Sequence, residues 1–226
     1  MNIYFDIETI PCTWPGILEE FAAGVTPPAT YKKPESIAAW LEENREAEAE
    51  AAWLKTSFDG GMGQICVIGW AVDDEPAMSM QVDDLSAESE AQLLGHWFAW
   101  LTNCRSGTSG TRPVLVGHNH VGFDIPFLWK RAMVHGIKPP MWFPRNPKPW
   151  ADSVEDTMLL WDSNQRAGSS MDRLCRILGI EGKGDMDGSK VWPMVREGQI
   201  DLVAAYCKQD VERTRAMHRR MQFVEA

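Results

Sequence analysis

The chain has 226 residues, 44% hydrophobic and 24% charged, with a net charge of −10. These proportions exclude a disordered chain, and the length suffices to bury a large core in one α/β domain or two small ones. The acidity excludes binding of duplex nucleic acid by bulk electrostatics, so any nucleic acid would need a local basic patch and metal-bridged phosphates.

Residues 1–5 read as a short buried strand, because Ile3, Tyr4 and Phe5 are β-formers with no turn residue among them. Asp6-Ile7-Glu8 follows, then Pro11, a helix from about Gly16 to Ala23 and a turn at Pro27-Pro28. Pro34 opens a long helical pattern to about Lys55 whose Glu/Ala-rich middle reads as a solvated face, and Asp59-Gly60-Gly61 breaks it. Ile65–Val72 and Ala77–Val82 form a hairpin about the turn Asp73-Asp74-Glu75-Pro76. Ala87–Leu101 is an amphipathic helix, Cys104–Thr111 a Gly/Ser loop, and Pro113–Val116 an apolar strand of the parallel type. A helix runs from Phe123 to about His135 with Pro126 in its first turn. A Pro-rich loop, Lys138–Trp150, leads to a short strand or helix start over Ser153–Trp161. Helices at Ser169–Leu178 and Ser189–Arg196 flank a Gly-rich loop, and the last helix spans about Ile200–Met221. A hairpin followed by alternating helix and strand points to a mixed sheet with helices on its faces; with no clear linker or repeat, a single domain over residues 1–226 is expected.

The chemistry-bearing residues are acidic. Positions i and i+2 of a strand share a face, so Asp6 and Glu8 stand side by side near the core. Two like charges there repel and lose hydration, a cost that a hard divalent cation relieves; a solvent-facing acidic pair is the plain alternative. Val116-Gly117-His118-Asn119 ends a strand, and Asp124 opens the next helix, either as its cap or facing the first strand across the ligand-binding edge of an α/β sheet. Tyr206 and Asp210, at i and i+4 on the last helix, project together, unless they are merely a half-buried phenol and a surface acid. Four carboxylates drawn from distant segments suit a two-metal site for in-line displacement at a phosphate.

These motifs resemble those of the DEDD 3′–5′ exonucleases: Asp6-Ile7-Glu8-Thr9, then Asn119 through Phe123-Asp124, then Tyr206 through Asp210, with tyrosine rather than histidine in the third. The continuation Phe123-Asp124-Ile125-Pro126-Phe127-Leu128 is similar to the proofreading domain of B-family DNA polymerases and, more closely, to stand-alone exonucleases of that group. Those also share stretches like Ser170-Met171-Asp172-Arg173-Leu174 and Gly188-Ser189-Lys190-Val191-Trp192. The resemblance implies an α/β ribonuclease-H-like fold with helices on both faces of a mixed sheet. It implies two divalent cations, Mg²⁺ or Mn²⁺, on Asp6, Glu8, Asp124 and Asp210, and Tyr206 orienting the attacking water. Thr9, Ile10, Asn119 and Phe123 would contact the strand being cleaved. The implied reaction is release of nucleoside monophosphates from DNA 3′ ends, single-stranded or frayed, with a polymerase or repair complex as a partner. RNA trimming is the same-class alternative; a catalytically idle nucleic-acid-binding or polymerase-partner subunit is the alternative of another class.

The remaining features are secondary. Asp156 is either an auxiliary acid or a cap, and Asp185-Met186-Asp187-Gly188 lacks the later ligands of a calcium loop. Lys183 and Lys190 are expected near a nucleic-acid backbone, and the basic, aromatic stretch from Lys130 to Trp150 could guide a single strand. His118 and His120 read as turn residues, and Arg213, Arg215, Arg219 and Arg220 as solvated helix positions. Five cysteines with no CxxC, no membrane-length apolar run and no secretory signal make the cytoplasm the expected compartment.

Overall fold

A computed structural model describes residues 1–106, 113–148, 151–163, 168–184 and 186–224. Its centre is a five-stranded sheet with spatial order β3-β2-β1-β4-β5. The strands are β1 (Asn2–Ile10), β2 (Gln64–Val72), β3 (Met78–Gln81), β4 (Val114–Gly117) and β5 (Val154–Asp156). β1 pairs antiparallel with β2 and parallel with β4; β2–β3 is the expected hairpin and β4–β5 is parallel. The sheet is therefore mixed, as the element order suggested.

Among the described residues there are eight helices: α1 (Ile17–Gly24), α2 (Pro34–Leu54), α3 (Ala87–Ser106), α4 (Asp124–Val134), α5 (Thr157–Trp161), α6 (Met171–Leu178), α7 (Val191–Arg196) and α8 (Ile200–Met221). Two 3₁₀ turns, Lys55–Phe58 and Gly188–Lys190, precede β2 and α7. The stretch around Ser153–Trp161 holds both a strand and a helix, joined where Asp156 accepts from the N–H groups of Met158 and Leu159. α3 runs beyond Leu101 through Cys104, so part of the expected Gly/Ser loop is helix, and residues 107–112 lie outside the described residues. No described helix is long and apolar enough to cross a membrane.

The alternation of β1 sorts the layers. Ile3, Phe5 and Ile7 enter the main core, where Phe5 packs on Trp97 of α3 with ring centroids 5.6 Å apart. Tyr4, Asp6 and Glu8 lie on the opposite face, which α8 covers: Tyr4 Oη meets His218 Nδ1 at 3.1 Å, and Val211 clusters with Tyr4, Ala71 and Val116. α8 can lie this low because Gly69, the register partner of Asp6, has no side chain; a Cβ there would come within 2.9 Å of Cys207 Sγ. β1 is longer than its apolar start. Its pairing with β2 continues through both carboxylates to Ile10, because backbone hydrogen bonds do not depend on side-chain polarity.

Across the other face a buried ion pair locks α3 to α4. Glu90 and Arg131 are 1% and 2% exposed. Glu90 Oε1 accepts from Arg131 Nε and from the backbone N–H of Ile65, both at 2.8 Å, and Oε2 meets His135 Nε2 at 2.8 Å. Desolvation offsets most of the attraction in such a pair, so its net contribution to stability is small, whereas leaving either partner alone is costly.

Candidate active site

Asp6 and Glu8 sit in mid-strand beneath α8. Directly after Glu8 the register with β2 shifts, with Glu8 opposite Val67 but Thr9 opposite Ile65, leaving Cys66 as a bulge. Bulges re-aim side chains and are over-represented beside functional sites. Ligand atoms of Asp6, Glu8 and Cys207 all lie within 4.8 Å of one another. Cys207, from α8, was not anticipated; nothing in an isolated cysteine signals that its neighbours on the helix face will carry it down between two acids.

Asp124 is delivered by a shaped turn. β4 ends at Gly117, where a Cβ would overlap the His120 ring, and Asn119 takes the left-handed conformation at φ 62°. Asp156 holds this turn from below, its Oδ1 accepting from Asn119 N at 2.9 Å and its Oδ2 from Val121 N at 3.0 Å. Asp156 is thus a buried bracket for the turn as well as the cap of α5. His120 is fully buried and Nε2 meets the Phe5 carbonyl at 2.6 Å, tying the turn to β1. Burial lowers the pKa of His120 to about 4, so the ring is neutral and donates from Nε2. Asp124 then begins α4 as its first residue, without capping it; its Oδ1 accepts from the backbone N–H of Ile7 at 3.2 Å, between Asp6 and Glu8.

α8 supplies Tyr206 and Asp210, 4% and 2% exposed. The loop after α6 folds back over them. Asp172 Oδ1 accepts from Lys183 N, and Arg213 donates to the carbonyls of Glu181 and Gly182. Lys183 Nζ thereby bonds Asp210 Oδ2 and meets Tyr206 Oη at 2.8 Å, while Arg213 takes Asp210 Oδ1 at 2.8 Å. The Lys183 ammonium thus reaches into the carboxylate cluster, and Arg213 is a partner of Asp210, not a solvated position. Arg215 binds the carbonyls of Asp73 and Glu75 at the hairpin turn, and Arg219 pairs with Asp74.

The electrostatics follow from enclosure. Burial first, then Asp210, raises the pKa of Asp6 to about 7. Burial and then Asp6 hold Glu8 and Asp124 well above the usual carboxylate range. Burial, then Asp210 and Glu8, likewise keeps the Tyr206 phenol protonated far past its ordinary value. Fully ionised, the four carboxylates would carry more negative charge than Lys183 and Arg213 offset, which is the setting a divalent cation relieves.

The structure brings together Asp6, Glu8, Asp124, Tyr206 and Asp210. The residues implied as substrate contacts are placed less uniformly. Phe123 packs on Phe127 and leans toward Phe58, with centroids 5.4 and 6.4 Å away. The Asn119 side chain lies over Gly122. Thr9 donates its hydroxyl to the Ser57 carbonyl at 2.7 Å. Ile10 is 1% exposed, so any contact with a nucleotide would run through its backbone. Lys148 borders a cavity beside Asn119, Val121 and Gly122, whereas Trp150 and Asp185 lie outside the described residues.

The fold is the ribonuclease-H-like fold of the PolB exonuclease domain. Residues 60–226 match a family described as predicted 3′–5′ exonucleases related to the exonuclease domain of PolB, and the chain belongs to that family. It is, accordingly, an enzyme of the nuclease class. Asp6 and Glu8 precede the matched residues; their meeting with Asp124 and Asp210 is seen in the fold. Among solved structures, the family B DNA polymerase from the hyperthermophilic archaeon Pyrobaculum calidifontis is similar with a TM-score of 0.60 at 15% identity. The match covers 98% of this chain and 24% of the polymerase chain, so this protein spans about a quarter of that polymerase's length. No curated protein matches.

Proposed function

We propose that the protein hydrolyses DNA from the 3′ end, preferring single-stranded or frayed termini, and releases nucleoside monophosphates by a two-metal mechanism. The observation that carries this reading is that Asp124 from α4 accepts from the Ile7 N–H between Asp6 and Glu8 of β1, and that Asp210 from α8 is close enough to raise the pKa of both. The donor set fits Mg²⁺ or Mn²⁺: the ligands are carboxylate oxygens, buried or half-buried, and burial first and then one another's charge holds Asp6, Glu8 and Asp124 above the usual carboxylate range. Two such cations, held by Asp6, Glu8, Asp124 and Asp210, would supply an acidified water and neutralise charge at the scissile phosphate.

The protein's own groups do the rest. Tyr206 keeps its proton, so its hydroxyl positions the attacking water through hydrogen bonding and does not act as a base. Lys183 stands as the counter-ion of Asp210 and hydrogen-bonds Tyr206. With cations held by the carboxylates, its ammonium would be released from Asp210 and could turn to the phosphate. Phe123 and the Asn119 turn flank the route by which the strand reaches Asp124, with Thr9 and the Ile10 backbone on the side of β1. Unpaired ends are favoured because a terminal phosphate reaches a recessed acidic site only when its base leaves the stack. The setting in this reading is the cytoplasm, where frayed ends come from a polymerase or repair complex.

The test is an assay of 5′-labelled DNA and RNA oligonucleotides across an Mn²⁺ titration. DNA should shorten stepwise from the 3′ end, and Asp6→Ala and Asp210→Ala should abolish shortening while remaining folded. Retardation without shortening would make the protein a binder. Shortening of RNA alone would replace the substrate, and turnover near wild type in either variant would remove the site.

A further inference from the structure

α2 is poorly covered for its length. Of its 21 residues only Ala49 is buried, whereas α8, of 22 residues, buries nine. α2 packs chiefly on α1 and on the 3₁₀ turn Lys55–Phe58, so the two helices form an arm between β1 and β2. The base of the arm is pinned: Trp53 Nε1 donates to the Cys12 carbonyl at 2.7 Å, and its ring meets Trp192 edge-on with centroids 5.4 Å apart. The charge on the arm is one-sided. From Glu35 to Glu50 there are six Glu and one cation, Arg45. Glu42, Glu46 and Glu50, all exposed, follow one another at i, i+4, where like charges repel across a turn and weaken a helix.

That acidic stripe borders a groove. Two adjoining cavities along the α1–α2 seam, of about 210 and 390 Å³, share Leu18, Glu19 and Trp53. Trp14 and Leu18 are 50% and 41% exposed there, and with Trp53 they give the groove an apolar strip. Glu19, Glu46 and Glu50 stand beside the strip, and no described Lys or Arg lines the groove. Large apolar side chains left in water carry a cost that a fitting partner removes. The carboxylates turn away a nucleic-acid strand, whose phosphates carry the same charge.

We propose that this groove docks a basic amphipathic helix of a partner protein. Charge complementarity selects the occupant. Apolar side chains on one face of that helix would cover Trp14, Leu18 and Trp53, and Lys or Arg on its flanks would meet Glu19, Glu46 and Glu50. The stripe from Glu42 to Trp53 covers about 17 Å of helix axis, so the occupant has about three turns. The arm leaves β1 after Ile10, beyond Asp6 and Glu8, so docking adds a partner without filling the acidic site. The proposal is independent of the exonuclease reading.

The probe is a fluorescein-labelled peptide of about 14 residues with Leu repeating at i, i+3 and i+4 and Lys elsewhere; its twin carries Glu in place of Lys. Binding is read by anisotropy at about 0.15 M salt, where charges more than about 8 Å apart are largely screened. Wild type should bind the Lys peptide about 10-fold or more tightly than the Glu twin. Glu46→Lys combined with Glu50→Lys should weaken Lys-peptide binding about 10-fold or more, and so should Leu18→Asp, which sets a charge in the apolar strip. Glu75→Lys combined with Asp152→Lys changes the net charge equally at exposed positions off the arm, and should stay within about 2-fold of wild type. An equal loss in that control, no loss in Leu18→Asp, or a wild type that binds both peptides alike would overturn the proposal. A wild-type dimer in sedimentation equilibrium that the Glu46→Lys, Glu50→Lys variant abolishes would give the groove to a second copy of the chain. Oligothymidylate binding that weakens in the same variant would give it to nucleic acid. Either result overturns the proposal as well.

Discussion

Replacing Asp6 by Asn in the cation-free protein should stabilise it, and the gain should depend on pH in a defined direction. The folded pKa of Asp6 is about 7 against an ordinary 3.8, because burial and Asp210 disfavour its charge. The native state therefore binds a proton that the unfolded state has released between about pH 4 and 7. Asp6 favours folding below that window, and its contribution is lost as pH rises through it. Integrated over the window, the ionised carboxylate costs about 4 kcal/mol, an upper bound because Asp6 titrates with its acidic neighbours. Asn keeps the shape and never ionises. The stability gap between Asp6→Asn and wild type should grow from about 1 kcal/mol or less at pH 4.5 to about 2–4 kcal/mol at pH 8. For a chain of this size that is on the order of 10 °C in thermal midpoint. The assay is urea unfolding in chelator across that pH range. Mn²⁺ at a hundredfold excess over its Kd should return about 2.7 kcal/mol to wild type and less to the variant. A gap independent of pH, or a variant less stable than wild type at pH 8, would refute the account of an overcharged site.

Three further outcomes are expected. Tyr206→Phe should slow strand shortening about 10²-fold while leaving the Mn²⁺-induced rise in thermal midpoint unchanged; an unaltered rate would take the hydroxyl out of the reaction. Gly69→Ala should push on Cys207 and with it the Asp210 segment, lowering stability by about 1–3 kcal/mol and activity by 10-fold or more, and Cys207→Ala should recover part of both in the double variant. Arg131→Met should cost about 3–5 kcal/mol in urea unfolding by leaving Glu90 buried without its partner, and adding Glu90→Gln should recover more than half; additive losses would mean the two side chains do not act as a pair.

The elements most legible in the sequence were those whose pattern is local. The last helix begins and ends where its periodicity does, at Ile200 and Met221, and the hairpin forms about the acidic turn after Val72. The meeting of Asp6, Glu8 and Asp124 was also legible, because strand ends and the helix after them converge on one edge of an α/β sheet. The groups that tune the site were not. Lys183 enters the cluster from an aperiodic loop, and only the tertiary bonds of Asp172 and Arg213 place it there. Arg213 looked solvated because its helix face shows only once the sheet is known. Cys207 meets Asp6 because Gly69, far away in sequence, makes room for it. The Asp156 bracket was hidden for a like reason: an acid before a helix looks the same whether it caps that helix alone or also holds a turn from the neighbouring strand.

The acidic set is split between elements far apart in sequence, with Asp6 in β1 and Asp210 in α8. A growing chain on the ribosome would display Asp6, Glu8 and Asp124 long before Asp210, Tyr206 and their basic escorts emerge. In the proposed reading, the centre is incomplete until α8 settles onto β1. Synthesis itself would then time the onset of the proposed cleavage, and a product terminated before α8 would lack it.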